Sequence, residues 1–106
     1  MKISTTPAPP YYAVIFTSVR TEGDNDYAKT AQRMEELAMQ HPGFLGIESA
    51  RNNELGITVC YWSSLEAIQN WKQNAEHQAA QQKGKEQWYA NYHIRICKVE
   101  REYGMK

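Results

Sequence analysis

Apolar residues alternate on both faces of the stretch Tyr11–Val19, with Tyr12, Val14 and Phe16 forming one set and Tyr11, Ala13, Ile15 and Val19 the other. A strand that is apolar on both sides must be covered on both sides. After it, TEGDND reads as a turn in which Asp24 or Asp26 can cap a helix. The next segment carries Tyr27, Thr30/Ala31, Met34 and Leu37/Ala38 on one stripe, with Lys29, Arg33, Glu35, Glu36 and Gln40 opposite. That is the period of an amphipathic helix. It stops at His41-Pro42-Gly43, because proline disfavours helical backbone in the residue before it.

Phe44–Arg51 then reads as a second strand, in which Glu48 interrupts a face of Phe44, Gly46 and Ala50. Asn52-Asn53 makes a hairpin turn, and Leu55–Trp62 is a third strand. Ser63-x-x-Glu66 has the form of a capping box and opens a second helix. Tyr92–Tyr103 closes the chain as a fourth strand, with Ile94 and Ile96 on one face and Cys97 and Val99 on the other.

The second helix is where the pattern changes. Leu65, Ile68 and Trp71 recur every three residues, and a later face reads His77, Ala80, Gly84, Trp88. On one unbroken helix, the six residues from Trp71 to His77 turn through about 600°, which leaves the two side chains about 120° apart. For both to line one pocket the helix has to break near Gln73-Asn74, and Asn74 is a suitable N-cap for the second piece.

The order β-α-β-β-α-β is that of the ferredoxin-like split βαβ fold, an α+β architecture. It implies a four-stranded antiparallel sheet with helices on one face and strand one between strands three and four. The opposite face, still apolar on strands one and three, calls for a second sheet, and an identical subunit is the simplest cover. The chain is therefore expected to form a homodimer. Residues 11–103 read as a single domain, preceded by a loose, proline-rich tail over residues 1–10.

Charge narrows the function only by exclusion. Among 106 residues Lys+Arg and Asp+Glu both number 12, so no overall field favours nucleic acid or anionic lipid. No apolar run reaches membrane-spanning length, and ISTTPAPP has no signal-peptide core, so the chain reads as soluble and cytoplasmic. The two cysteines, Cys60 and Cys97, lie in separate apolar runs, and no pair of histidines has a metal-ligand spacing.

YAVIFTS in strand one, RMEELAMQHPGFLGIESAR, ITVCYWSSLEAIQNWK, EHQAAQ and WYANYHIRICKVEREY resemble the antibiotic biosynthesis monooxygenase family of dimeric α+β barrels. The resemblance spans about residues 11–103, and the PGF turn and the YW-S-x-E-A-x-x-x-W segment are its most recognisable parts. It implies an oxygenase that oxidises a phenolic or quinol-type aromatic with O₂ and without metal or flavin. Other members degrade haem, and many have no assigned role. In the oxygenases acting on aromatic polyketides, a Trp in the helix after strand three matches Trp71, and a polar group about two turns on falls at or near His77. The aromatic substrate would lie between the sheet and the helices. The haem-degrading members combine a strand-one Asn with this Trp and a ligand His. Here AVIFTS has no Asn, and Gln81 stands about one turn beyond His77 where the ligand would be, so haem degradation is disfavoured.

Each candidate keeps two readings. Trp71 is either a core aromatic on the sheet or a pocket wall for an aromatic ligand. His77 either caps or pairs at the kink or serves as a base suited to neutral pH. Glu48 either pairs with Arg51 or Arg95 or is a buried carboxylate that tunes His77 or acts as base itself. Trp88 and Tyr92 flank the same helix face, as core or as further substrate contacts. The function alternatives are a cofactor-independent monooxygenase and a non-catalytic dimeric module that binds a small molecule or holds a complex together.

Overall fold

A computed structural model describes residues 2–105, apart from the side chain of Ala75. In chain order it contains β1 (Tyr11–Arg20), α1 (Tyr27–Gln40), β2 (Phe44–Arg51), β3 (Gly56–Trp62), α2 (Leu65–Lys72), α3 (Ala75–Lys83), a π-helical turn (Gly84–Trp88) and β4 (Tyr89–Val99). The strands form one antiparallel sheet in the order β2-β3-β1-β4, so β1 lies between β3 and β4 as the split βαβ pattern requires.

Register assigns the faces. Tyr12, Val14 and Phe16 stand opposite Trp62, Cys60 and Thr58 on β3. Tyr12, Val14 and Cys60 pack with Trp62, Ala67 and Ile68, so this is the face the helices cover. Ala13, Ile15 and Thr17 look the other way, together with Tyr61, Val59 and Ile57 on β3 and Cys97, Arg95 and His93 on β4. Nothing among the described residues covers most of that second face, and Ile57 is 43% exposed on it. The helices also stop short of β4, where Ile96, paired with Val14 on the helix side, is 55% exposed.

The PGF turn is held by a close approach. Gly43 has φ +88, and a Cβ there would sit 2.5 Å from the Ala67 Cβ and 2.8 Å from Ser63 Oγ. Its carbonyl accepts from Ser63 N at 2.8 Å, which ties the start of β2 to the end of β3. Only glycine supplies both the positive φ and the missing side chain.

Of the boundaries that differ from expectation, three have a visible cause. The cap of α2 is Ser64 rather than Ser63: its backbone is extended (φ −156) and its hydroxyl accepts from Ala67 N at 3.0 Å. Strand β4 starts at Tyr89 instead of Tyr92, because the π-helical turn ends at Trp88 and Arg20 already pairs with Tyr89. It ends at Val99 rather than Tyr103, because Val99 pairs with Tyr11 and β1 offers no partner before that residue.

The helix does break where the spacing demands. α2 closes at Gln73, and Asn74 caps α3, its side-chain oxygen accepting from His77 N at 3.1 Å. Replacing Asn74 with alanine should cost about 1 kcal/mol of stability in chemical denaturation, the usual loss for a cap that bonds a helical N–H. A change below a few tenths would mean that neighbouring contacts alone hold the break.

The segment before β1 has no regular secondary structure, yet it touches the sheet. Ser4 donates its N–H to Glu48 Oε2 at 2.9 Å and its hydroxyl to the Ile47 carbonyl at 3.2 Å. Thr6 and Tyr11 both reach the Glu102 carboxylate through their hydroxyls. Cys60 and Cys97 are free thiols on opposite faces of the sheet with β1 between them, two strand spacings of about 4.8 Å apart.

Candidate functional site

Two aromatic clusters lie on the helix face of the sheet, about four residues apart along β1. The first is built on Trp62 at the end of β3, which is 1% exposed. Its indole stacks on Trp71 with centroids 6.1 Å apart and meets Phe44 edge-on at 5.4 Å. Trp71 comes from the last turn of α2 and His77 from the first turn of α3. Because the chain breaks between them, the imidazole lies nearly parallel to the indole, 4.5 Å between centroids and 19° between planes. An unbroken helix would have held these rings apart.

The imidazole is oriented by a second contact. His77 Nδ1 lies 3.2 Å from the Trp71 carbonyl oxygen. A carbonyl only accepts, so the hydrogen bond requires the proton on Nδ1 and leaves Nε2 with its lone pair. Burial lowers the His77 pKa below the ordinary histidine value, and the bond to Trp71 opposes this in part. The ring is thus neutral at pH 7, with Nε2 as a proton acceptor.

Sequence reasoning missed a second imidazole in this cluster. His41 ends α1, and its ring meets Trp71 edge-on at 5.5 Å and Trp62 at 6.2 Å. Its Nδ1 is buried and has no hydrogen-bond partner among the described residues. Trp71 therefore contacts two imidazoles. No spacing rule joins residues 41 and 71; they meet only because the PGF turn brings the end of α1 against α2.

The second cluster collects the other candidates. Trp88 is 3% exposed and donates its indole N–H to the Asn25 carbonyl at 2.8 Å. It meets Tyr27 edge-on at 5.7 Å, Tyr27 meets Tyr89 at 5.8 Å, and Tyr92 stacks on Phe16 at 5.4 Å. The Arg20 guanidinium lies 3.5 Å from the Tyr27 ring centroid, a cation–π contact. Burial pushes the Tyr89 phenol well above its ordinary pKa, so it stays protonated at any physiological pH.

Glu48 is in neither cluster. Its carboxylate accepts from Tyr61 OH at 2.7 Å and from Ser4 N at 2.9 Å, on the face away from the helices. Burial and this hydrogen bond push the Tyr61 phenol up to about 12. The structure thus brings Trp71 and His77 together, places Trp88 and Tyr92 in a separate cluster, and puts Glu48 on the other side of the sheet from His77. Cys60, between the clusters beside Val14, is pushed by burial to about 12 and is an inert thiol. No group of three or more His, Cys, Asp or Glu among the described residues has the arrangement of a metal site, and none of the described helices is long and apolar enough to cross a membrane.

An open groove of about 420 Å³ lies between α1 and α3, with Trp88 at its edge. Neither Trp71 nor His77 lines it.

A family model described as antibiotic biosynthesis monooxygenase matches residues 10–83. Uncharacterized protein YqjZ of Bacillus subtilis is 54% identical over 101 residues, covering 94% of this chain and 89% of that protein. Among solved structures, SnoaB, a cofactor-independent oxygenase from Streptomyces nogalater, superposes with a TM-score of 0.76 at 7% identity over 89% of this chain and 97% of its own. A putative antibiotic biosynthesis monooxygenase from Nitrosomonas europaea superposes with a TM-score of 0.72 at 12% identity, over 90% and 94%. At such identities these two likenesses establish a shared fold.

Proposed function

The chain belongs to the antibiotic biosynthesis monooxygenase family, and we propose that it is a cofactor-independent monooxygenase of a small aromatic or quinol-type metabolite. The observation that carries this reading is the neutral imidazole of His77, fixed by Trp71 with its proton on Nδ1 and its Nε2 lone pair free. An electron-rich aromatic becomes a reductant for O₂ once it is deprotonated, and a neutral imidazole beside an apolar surface is suited to take that proton. In an anthrone-type substrate, Nε2 would remove one hydrogen of a ring CH₂ as a proton. The resulting carbanion forms a C–O bond with O₂, giving a hydroperoxide. The O–O bond then breaks as water leaves with the second hydrogen, and the carbon becomes a carbonyl. All four electrons come from the substrate, so the atoms and electrons balance without a further reductant. In this reading Trp71, stacked on both Trp62 and His77, holds the imidazole in its orientation. Glu48, on the opposite side of the sheet, takes no part in the proton path.

The test is oxygen uptake by purified protein over a panel of hydroquinones and anthrones, with haem titration beside it. Consumption of one O₂ per substrate with one labelled oxygen atom in the product supports the reading. No uptake across the panel counts against it. One observation favours the alternative, a non-catalytic binding module: the open groove is lined by neither Trp71 nor His77.

The protein should also be a homodimer built on the sheet face away from the helices. The motive is that Ile57 remains 43% exposed on that face, beside the half-buried Ile15 and Val59, which a second sheet would cover. Light scattering at micromolar concentration should give the mass of two chains. A stable monomer would remove the second layer from this picture.

A further inference from the structure

The groove between α1 and α3 has a built character. Its volume, about 420 Å³, lies within the range of small-molecule sites. Its apolar surface comes from Met34 on α1, Ala79 and Ala80 on α3, and the indole of Trp88. Trp88 is set there by the π-helical turn that follows α3; such turns within helices occur frequently at functional sites. An aromatic edge, a thioether and two methyls suit a planar ring.

The rim is charged, and cations outnumber carboxylates. Lys29 and Arg33 come from α1 and Lys83 from α3, against Asp26 and Glu76. Both carboxylates are engaged: Asp26 lies 3.9 Å from Lys83, and Glu76 accepts from Arg33. Lys29 has no carboxylate partner among the described residues. The Arg33–Glu76 pair spans the groove from helix to helix, with Nε–Oε2 at 3.2 Å and Nη2–Oε1 at 3.3 Å. A tight guanidinium–carboxylate fork closes to about 2.7–2.9 Å. Both side chains are about half exposed, so this pair adds little stability and is readily exchanged. The fork is thus already shaped around a carboxylate that is loosely held.

We infer that this groove binds a planar aromatic carboxylate, its ring against Met34, Ala79, Ala80 and Trp88. Its carboxylate displaces Glu76 from the Arg33 fork, and Lys29 supplies the remaining positive charge. Because neither His77 nor Trp71 lines the groove, the site stands whether or not the chain oxygenates a substrate.

The probe is 1-hydroxy-2-naphthoate, titrated by calorimetry with amide NMR to locate it; 1-naphthol is the uncharged comparison. The acid should bind saturably and shift amides of α1, α3 and the π-helical turn. Arg33→Gln should weaken it about tenfold, and Lys29→Gln about threefold, as expected for single charge contacts at a rim. Glu76→Gln should tighten it, because the fork loses its internal competitor. Ala79→Trp, at an exposed helix position that keeps the fold, should block both compounds by filling the groove. His77→Ala should leave the affinity unchanged, which separates failure of this inference from failure of the oxygenase reading. No saturable binding, equal binding of the acid by wild type, Arg33→Gln and Glu76→Gln, or amide shifts confined to Trp71 and His77 would each overturn it.

Discussion

Replacing His77 with alanine should lower substrate-dependent oxygen uptake by about 10²–10⁴-fold, the range lost with a general base. The variant should keep the fold, because the residue is half-buried and its backbone N–H still reaches the Asn74 cap. The fall belongs in kcat. A change in KM alone would make the imidazole a binding group instead. Acidity gives the same experiment a second axis. Burial holds the His77 pKa below its unfolded value of about 6.5. Below 6.5 the unfolded chain therefore takes up a proton that the folded chain refuses, and folding stability falls with acidification until the folded pKa is reached. Activity should fall in the same direction, as Nε2 becomes protonated, with its inflection below 6.5. In His77→Ala that part of the acid sensitivity should vanish from both profiles.

The second large effect is structural. Trp62→Ala should cost about 3–5 kcal/mol in chemical denaturation at matched protein concentration, the range for removing a large aromatic from a core. Trp62 is 1% exposed and joins α2, β2 and the end of α1 through Trp71, Phe44 and His41. A domain of ordinary stability, about 5–15 kcal/mol, would be left marginal. Trp71→Ala should cost less, because that indole is half-buried. It should nevertheless disturb His77, which loses the ring it stacks on. A cost for Trp62→Ala within 1 kcal/mol would mean that the core lies elsewhere.

Much of the architecture can be read from local patterning. The two-sided alternation of Tyr11–Val19 marks a central strand, and the phase mismatch between Trp71 and His77 locates the helix break to within a residue. Both rest on periodicity, which the backbone obeys wherever burial is one-sided or two-sided in a regular way. The misplaced features depend on competition instead. Ser63 and Ser64 are both able to cap, and it is Ser64, with its extended backbone, whose hydroxyl accepts from Ala67 N. The π-helical turn has no sequence period, and it runs directly into the strand that pairs with Arg20 at Tyr89. At the site, Trp71 and His77 were legible because only six residues separate them. His41 was not, since its contact with Trp71 exists only after the PGF turn folds. Glu48 illustrates the same limit. Its polar position in an apolar strand is visible in the sequence, but its partners, Tyr61 across the hairpin and Ser4 from the segment before β1, are tertiary.

The state of the His77 ring carries the proposed chemistry, and nitrogen NMR of ¹⁵N-histidine-labelled protein reads it directly. The expected result at pH 7 is a neutral ring with the proton on Nδ1, a free Nε2 and a titration midpoint below 6.5. A ring protonated at pH 7, or a neutral ring with its proton on Nε2, would contradict it.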